Sequence, residues 1–509
     1  MSRYLETPLP FPFEPLARRG APSLAPALLE AIVPAPGIDP LVARLAQPGT
    51  MLVTTGQQPC LFLGPLYTVH KALSAARLAK ALETAWRSPV VPLFWVAGDD
   101  HDFAESATAA WLNPAGELVM RELRQRDSAA PLVPMYREIL GPDVLTALEA
   151  LAADLPQSEF RDATVDWLRR HYRPEQTVSN AYASALAELL APHGILCLDS
   201  TRSVVKRALA PLLIESLRRH GELDSALAAE DGRLKSRGYD AGIAVGEGAS
   251  LVMLESRLGR DRLMADGAGF VTRRSGEHFS LSELERIAAA EPERLSPNVL
   301  LRPVAESAIL PTVAYVGGPG ELRYLKLTPP LYQSLGVPRQ VPIPRWSGMV
   351  VEARVDRVLE KFGATVDELL APPPGLEARV LKSQLPASAT AALADFVAVA
   401  DRSFQALGNA AHEIDPTLDR PVQNARNQAL SAAHDLEKKL VSHLRKRSET
   451  ELSQIVRSRT ALLPGGKPQE RLLSVSGYLA RYGPAFLSEL SAAMEPWTVR
   501  ALEGAGRPA

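Results

Sequence analysis

Five short apolar runs, each followed at once by polar residues, are the feature that most limits how this chain can fold. The runs are residues 51–53, 90–97, 195–198, 311–316 and 341–344. Runs of this length and composition are typical of buried strands, and helical patterns separate them. Strands that alternate with helices predict an α/β fold with a doubly wound parallel sheet. The polar loops would then share the carboxyl edge of the sheet, where ligands bind in such folds.

The loop after the first run carries two glutamines, Gln57 and Gln58, and leads into a helical pattern. Their amides and the loop N–H groups would lie at the end of a strand and could contact a ligand. Lys71, one turn inside the following helix, could reach an anionic group. The alternative is a simple strand-to-helix turn in which the glutamines satisfy backbone groups and the lysine is solvated.

The loop after the second run contains Asp99, Asp100, His101 and Asp102. One imidazole and three carboxylates could hold a divalent metal, for which Asp99, Asp100 and His101 are the candidate ligands. They could instead act as general acid and base, with His101, Asp100 and Asp102 as the catalytic groups. In the structural alternative, the carboxylates cap the next helix and His101 hydrogen-bonds to one of them. Established metal-binding spacings such as HExxH are absent.

The fourth run ends in a glycine-rich loop, residues 317–320, whose backbone N–H groups could approach a phosphate or carboxylate. A plain turn is the alternative. The GxxxxGK[ST] pattern is absent, which excludes P-loop chemistry. Cys60 and Cys197 have no neighbour that would clearly activate them, so we interpret both as small apolar fillers.

Composition limits the partners and the compartment. A chain of 509 residues with 46% hydrophobic residues and a net charge of −2 is typical of a globular protein. This charge gives no reason to expect nucleic acid or an anionic membrane as a partner. We expect no signal peptide and no membrane span, because the most apolar strand-like run is far too short. Two cysteines without a CxxC pair fit a reducing cytoplasm.

The last quarter of the chain differs in composition. A proline-rich stretch, residues 371–375, predicts a linker, and a long helix is predicted over 422–463 with a narrow apolar stripe. Such a stripe favours a coiled coil that joins two copies, although pairing with the helix that carries Phe396 and Phe404 is the alternative. The predicted domains are a core over 1–375 with insertions at about 103–180 and 228–297, a helical coiled coil over 376–463, and a tail over 464–509 that packs back on the core.

Several motifs together resemble one family, the cysteine-adding enzymes of bacillithiol biosynthesis, also called cysteine ligases. The similar motifs cover nearly the whole chain in the same order: 55–59 (TGQQP), 64–68 (GPLYT) with Lys71, 94–95 (FW), 100–102 (DHD), 296–303 (SPNVLLRP), 315–321 (YVGGPGE) and 468–471 (PQER). The resemblance implies a Rossmann-like core with connective insertions and a C-terminal coiled-coil domain that forms a homodimer.

The same resemblance implies the last step of bacillithiol synthesis, in which L-cysteine is joined to the amino group of glucosaminyl-malate. The expected substrate-binding residues are Gln57, Gln58, Tyr67, Lys71, Asp99, Asn298, Arg302, Gly318 and Glu321. Activation of a carboxylate needs a co-reactant, and the sequence leaves open whether ATP/ADP or a divalent metal is bound. The HIGH signature of class I aminoacyl-tRNA synthetases is absent after the first run.

Two positions depart from the family pattern. Cys60 stands where the family usually has glycine, and Asp99 stands where it usually has glutamate. The first would loosen a close backbone approach, and the second shortens a carboxylate by one methylene. Two other functions stay open from the sequence: another ATP-dependent ligase or nucleotidyltransferase on the same core, and a non-enzymatic protein that works through its coiled coil.

Overall fold

The computed structural model describes residues 2–18, 23–127, 129–246 and 248–504. The chain forms two compact units. Val350–Gly466 makes up most of one unit, together with short stretches at the amino terminus and at Ala115–Glu117. The other unit comprises Tyr4–Pro114, Leu118–Met349 and the described residues from Lys467 onward. The chain therefore leaves this larger unit briefly at Ala115–Glu117 and again at Val350, and it returns for good at Lys467.

The strands of the described chain, in sequence order, are β1 (Arg3–Glu6), β2 (Met51–Gln57), β3 (Val90–Val96), β4 (Thr108–Leu112), β5 (Leu118–Glu122), β6 (Leu196–Asp199), β7 (Ala249–Ser256), β8 (Gly259–Asp266), β9 (Gly269–Thr272), β10 (His278–Ser280), β11 (Leu295–Pro297), β12 (Thr312–Gly317), β13 (Val341–Pro344) and β14 (Gly348–Val351).

The α-helices follow the same order. They are α1 (Asp39–Leu45), α2 (Tyr67–Trp86), α3 (Phe103–Ser106), α4 (Asp143–Asp154), α5 (Arg161–His171), α6 (Val178–Leu190), α7 (Ser203–Arg218), α8 (His220–Lys235), α9 (Leu281–Ala290), α10 (Arg302–Ile309), α11 (Pro319–Leu325), α12 (Pro329–Ser334), α13 (Ala353–Phe362), α14 (Val366–Leu370), α15 (Gly375–Ser383), α16 (Ala387–Ile414), α17 (Asp419–Arg445), α18 (Glu449–Leu462), α19 (Ser476–Tyr482), α20 (Ala485–Ala493) and α21 (Glu495–Gly504). Among the described residues, no helix has the length and apolar character needed to cross a bilayer.

The main sheet of the larger unit has five strands in the order β13-β12-β2-β3-β6, and every neighbouring pair is parallel. These strands correspond to the five apolar runs, so the predicted doubly wound sheet is confirmed. β3 is buried at every position, as expected of a central strand covered on both faces. The register places Gln57 beside Val96 and Val96 beside Asp199, which brings the polar loops to one level at the carboxyl edge.

A second sheet in the same unit is antiparallel, in the order β10-β9-β8-β7-β11. It arises from the region that the sequence predicts as an insertion around residues 228–297. β7 and β8 form a hairpin with a two-residue turn, and β11 runs beside β7 before the chain enters α10. This arrangement gives β8 and the segment after β11 access to the carboxyl edge of the parallel sheet.

The smaller unit is built around the two long helices of the predicted coiled-coil domain, α16 and α17, which pack side by side. Arg426 of α17 donates to Asp401 of α16 at 2.9 Å, and His412 contacts Asp419 at 3.0 Å. The alternative pairing within one chain is therefore present. Many apolar side chains of this helix pair stay exposed, among them Phe396, Val399, Leu407, Ile414 and Leu436.

The prediction of one continuous helix over 422–463 is wrong. α17 ends at Arg445 and α18 begins at Glu449. The polar run in between forms a turn in which Ser448 is buried and donates to the Gln384 side chain. The buried hydroxyl thus has a hydrogen-bond partner at the place where the predicted helix is broken.

Candidate active site

A cavity of about 370 Å³ lies at the carboxyl edge of the parallel sheet. The residues that follow each of the five strands contribute to its wall: Gln58 after β2, Ala97 after β3, Ser200 after β6, Gly318 after β12 and Arg345 after β13. The sequence predicts that the Gln57–Gln58 loop and the Asp99–Asp102 loop face one pocket, and of these residues Gln57, Gln58, Asp99 and Asp100 line this cavity. A cavity of this size is in the range of small-molecule sites.

Most of the residues predicted from the sequence line this cavity. They are Gln57, Gln58, Tyr67, Lys71, Asp99, Asp100, Asn298, Arg302, Gly318 and Glu321. His101 and Asp102 are not part of the lining. Their loop lies beside the cavity, and His101 reaches it only through the side chain of Arg260, which does line the wall.

Lys71 and Glu321 form an ion pair in the cavity wall, with 2.6 Å between Nζ and Oε2. Lys71 is 1% exposed and also donates to the backbone carbonyl of Gly56. Burial lowers the pKa of Lys71, although Glu321 opposes that effect. Burial alone would raise the pKa of Glu321, but Lys71 and the hydroxyl of Tyr315 hold it below its usual value. The contact between the two side chains joins α11 and α2 at the end of β2.

The glycine-rich loop after β12, which the sequence left open as an anion-binding loop or a plain turn, begins α11. The N–H of Gly318 donates to Oε2 of Glu321 at 2.8 Å, and this bond caps the start of α11. That N–H group is therefore already used within the protein. Gly318 still lines the cavity, so its backbone limits the shape of the pocket.

Arg302 and Glu306 form a second ion pair at the cavity wall. The guanidinium donates to Glu306 at 2.8 Å, and the centre of the Tyr315 ring lies 4.8 Å from its central carbon. Glu306 is fully buried and also accepts a hydrogen bond from Thr54 of β2. Burial raises the pKa of Glu306, whereas Arg302 opposes the rise. These contacts hold the Arg302 side chain at the cavity wall.

The Asp99–Asp102 loop holds its groups apart from one another. Asp99 pairs with the buried amine of Lys206, which also donates to the carbonyl of Leu295 at 3.1 Å. Oδ1 of Asp100 accepts from the N–H groups of His101 and Asp102, at 2.7 and 3.1 Å. Asp102 caps α3 by accepting from the N–H of Glu105. The capping role that the structural alternative assigns to these carboxylates is therefore present for Asp102.

The three candidate metal ligands do not form a ligand set. Asp99 faces Lys206, Asp100 closes the turn of its own loop, and His101 faces Arg260. In the described residues no group of three His, Cys, Asp or Glu side chains is arranged to hold a metal ion. A cation at this site would need most of its ligands from a bound substrate.

His101 has its Nδ1 atom 3.2 Å from Nη1 of Arg260. A guanidinium can only donate, so Nδ1 accepts and the proton of the neutral ring lies on Nε2. Burial and the charge of Arg260 lower the pKa of His101, although Asp100 and Asp102 oppose this. The neutral ring can accept a proton at Nδ1 only after Arg260 turns away. The predicted base role of His101 stays a prediction.

The chain is similar to one family along most of its length. Residues 36–346 match the family described as "Bacillithiol biosynthesis BshC, N-terminal Rossmann-like domain", and residues 348–501 match its C-terminal coiled-coil domain. The chain belongs to the BshC family. Three similar relatives carry the name "Putative cysteine ligase BshC". The protein of Prosthecochloris aestuarii is 30% identical, with 89% of this chain and 82% of the relative covered.

The relative from Heliobacterium modesticaldum is 30% identical over 89% of this chain and 83% of its own length. The relative from Symbiobacterium thermophilum is 31% identical, with coverage of 90% and 85%. The resemblance noted from the motifs is thereby confirmed, as is the Rossmann-like core with a coiled-coil domain.

The two residues that depart from the family pattern, Cys60 and Asp99, lie in different surroundings. Cys60 is 1% exposed and does not line the cavity, and burial raises the pKa of its thiol. A Cβ atom built on Gly64 would lie 2.7 Å from the Cβ of Cys60, so Cys60 packs tightly against a glycine. Asp99 does line the cavity, where its carboxylate neutralises the buried Lys206.

The predicted set lacked several charged residues: Arg260, Arg345 and Arg471, which line the cavity, and Glu470, which contacts Arg345 from behind its wall. Arg345 follows the fifth strand directly, so the rule that selected the other loops could have found it. Arg260 comes from β8, and Arg471 comes from the segment that returns after the coiled coil. No local pattern places Arg260 at the sheet edge, whereas Arg471 belongs to the motif at 468–471 through which the chain resembles the family.

Acid is expected to destabilise the larger unit through His70, a fully buried side chain of α2. Its Nδ1 donates to Oε2 of Glu470 at 2.9 Å, and within the described chain Nε2 has no partner. Burial lowers the pKa of His70, with Arg345 adding to this effect and Glu470 opposing it. Above about pH 6.5 the residue is neutral whether the chain is folded or unfolded. As the pH falls below this value, only the unfolded chain takes up the proton, so the free energy of unfolding falls.

The measurement compares the melting temperatures of wild type and His70→Asn between pH 5 and pH 8. Asparagine can still donate to Glu470, so the gap between the two proteins should be largest at high pH and should narrow toward pH 5. His443→Asn, at an exposed position, is the control. A gap that widens toward acid would contradict the assignment.

Proposed function

We propose that this protein is a ligase that joins L-cysteine to the amino group of glucosaminyl-malate, the last step of bacillithiol synthesis. The relatives' printed name supports a cysteine ligase, and the family description supports bacillithiol biosynthesis. The observation that carries the proposal is the mixed charge of the cavity wall. Cations from Lys71, Arg302, Arg345 and Arg471 line one cavity with the carboxylates of Asp99, Asp100 and Glu321.

This mixture suits substrates that carry both carboxylates and amines. Glucosaminyl-malate has two malate carboxylates and one amine, and cysteine has one of each. Arginine binds carboxylates through two parallel hydrogen bonds, which favours Arg302 and Arg345 as partners for the malate carboxylates. The acidic loop after β3 is the part of the wall that can attract an ammonium group.

The reaction makes a C–N bond between the cysteine carboxyl carbon and the sugar amine, with loss of one carboxylate oxygen. The ammonium form must first lose a proton before its nitrogen can attack. An amide does not form spontaneously from a free carboxylate in water, so the carboxyl oxygen needs a co-reactant to carry it away. We propose ATP as that co-reactant, with its divalent cation held mainly by the phosphates because the described residues offer no ligand set.

The deciding experiment is a mass-spectrometric assay of the purified protein with cysteine and glucosaminyl-malate, with and without ATP and Mg²⁺. The expected product is the cysteinyl amide of glucosaminyl-malate, formed only when all components are present. Labelled cysteine with a panel of other amines tests for a different acceptor. Product on another amine, and none on glucosaminyl-malate, would overturn the proposed substrate. The reaction is expected to belong to the cytoplasm, where the product thiol stays reduced.

A homodimer is proposed to form through α16 and α17. Phe396, Leu407 and Leu436 are each about half exposed in the single chain, which leaves an apolar stripe without cover. Light scattering should give twice the mass of the chain at micromolar concentration. Leu407→Glu combined with Leu436→Glu should shift the protein to monomer, while Val499→Glu, an exposed position in α21, should not. A monomeric wild type would refute the dimer.

A further inference from the structure

Glu470 is the most heavily hydrogen-bonded carboxylate near the cavity, although it does not line the cavity itself. It lies in the segment that returns to the larger unit after the coiled coil, and it is 5% exposed. Its two oxygens accept five hydrogen bonds. Oε1 accepts from Nη2 of Arg345 at 2.6 Å and from the hydroxyl of Ser347 at 2.8 Å. Oε2 accepts from Nη1 of Arg345 and from Nδ1 of His70, both at 2.9 Å. Oε2 also accepts from the N–H of Gly348 at 3.3 Å.

These bonds leave Glu470 without any capacity to bind substrate or move a proton. Burial alone would raise its pKa, but the bonds from His70 and Arg345 hold the pKa well below its usual value. The carboxylate therefore stays charged near neutral pH. A permanent, saturated anion behind a cavity wall serves to orient the cations that contact it.

Arg345 is the contact that reaches the cavity. Its guanidinium is held by the two oxygens of Glu470 and by the carbonyl of Trp346, which Nη1 contacts at 2.8 Å. In the described chain these bonds use three of its five N–H groups. The Nε side lies against Gly318, where a Cβ atom would sit 3.6 Å from it, and the residue lines the cavity. The guanidinium is thus held in one orientation at the cavity wall, with two N–H groups outside these three bonds.

We propose that Glu470 is a positioning residue that fixes Arg345 for recognition of a carboxylate of the substrate. The inference rests on the proposed function for the identity of that substrate, glucosaminyl-malate. It makes the returning segment part of the site, because this segment supplies both the clamp on Arg345 and the lining residue Arg471. The site is then complete only when residues beyond the coiled coil have packed back on the core.

The test is a double-mutant cycle on binding. Calorimetry gives the Kd for glucosaminyl-malate, and separately for L-malate, with wild type, Glu470→Gln, Arg345→Ala and the double variant. Loss of charged hydrogen bonds should weaken binding by about tenfold or more in each single variant. If Glu470 acts through Arg345, the double variant should bind no more weakly than Arg345→Ala alone. Glu489→Gln, an exposed carboxylate in the same tail, should bind as wild type does.

A purely structural role for Glu470 gives a different pattern, in which its effect persists unchanged when Arg345 is already alanine. That outcome, or wild-type binding by Glu470→Gln, would overturn the proposal. Glu470→Asp is the second variant in case the glutamine variant does not fold. It keeps the charge on a shorter arm, and its weaker binding should also vanish in the Arg345→Ala background.

The binding measurements with glucosaminyl-malate and L-malate, together with the turnover assay, distinguish a failure of this inference from a failure of the proposed function. Coupling between the two residues in L-malate binding, with no cysteinyl product from wild type, would reject the function and keep the positioning role. Normal turnover together with independent effects of Glu470 and Arg345 on binding would reject the positioning role and keep the proposed function. If wild type binds neither anion, the role of Arg345 in carboxylate recognition is refuted.

Discussion

Replacing Lys71 with methionine is expected to lower turnover by about a thousandfold, at the upper end of the loss seen when one preorganised charged contact is removed from an active site. Lys71 is a buried cation in the cavity wall, and its amine fixes the end of β2 through the carbonyl of Gly56. The change also leaves Glu321 without its partner. An unpaired carboxylate in such a site costs about 3–5 kcal/mol in the free energy of unfolding.

The loss of activity and the loss of stability can be separated. In Lys71→Met combined with Glu321→Gln, the carboxylate charge is also removed, so much of the melting temperature should return while turnover stays low. Turnover is measured by mass spectrometry and the melting temperature by calorimetry. Lys80→Met, an exposed position on the same helix, should change neither. Recovery of turnover in the double variant would show that Lys71 acts only by neutralising Glu321.

The sequence predicts the sheet well because each strand carries its own signal. The apolar runs before Gln57 and Asp99 have a length that is typical of buried strands. Polar residues follow each run. In a parallel sheet the carboxyl ends of all strands lie at one edge, whatever the order of the strands in the sheet. The location of the cavity therefore followed from local patterns, whereas lining residues such as Asn298 and Arg302 were expected from the resemblance to the family.

Other features depend on contacts between distant parts of the chain, which leave no local pattern. Arg260 reaches the cavity from a hairpin in a separate sheet, and Glu470 reaches Arg345 from 125 positions along the chain. At the break between α17 and α18, Ser448 likewise bonds to Gln384, which lies far from it in the sequence. The direction of the His101 ring could not be predicted either, because the partner that sets it, Arg260, was not expected there.

His101→Asn is expected to lower turnover by about a hundredfold, the usual contribution of a general base. In the resting protein Nδ1 accepts from Arg260, so it is not free. An arriving carboxylate would compete for the same guanidinium and release Nδ1 close to the cavity. The neutral ring, whose pKa lies below its usual value, could then take the proton of the substrate ammonium group.

Asparagine and alanine at position 101 distinguish this role from simple bracing of Arg260. The Oδ1 atom of asparagine can replace Nδ1 as an acceptor for Arg260, but it cannot take up a proton near neutral pH. If His101 is the base, both variants lose turnover to a similar degree while the melting temperature of His101→Asn stays near that of wild type. If the ring only holds Arg260, His101→Asn keeps most of its turnover and His101→Ala shows a raised KM. The pH profile adds a second readout, because loss of the base removes the acidic limb of kcat, whereas loss of a brace leaves that limb in place.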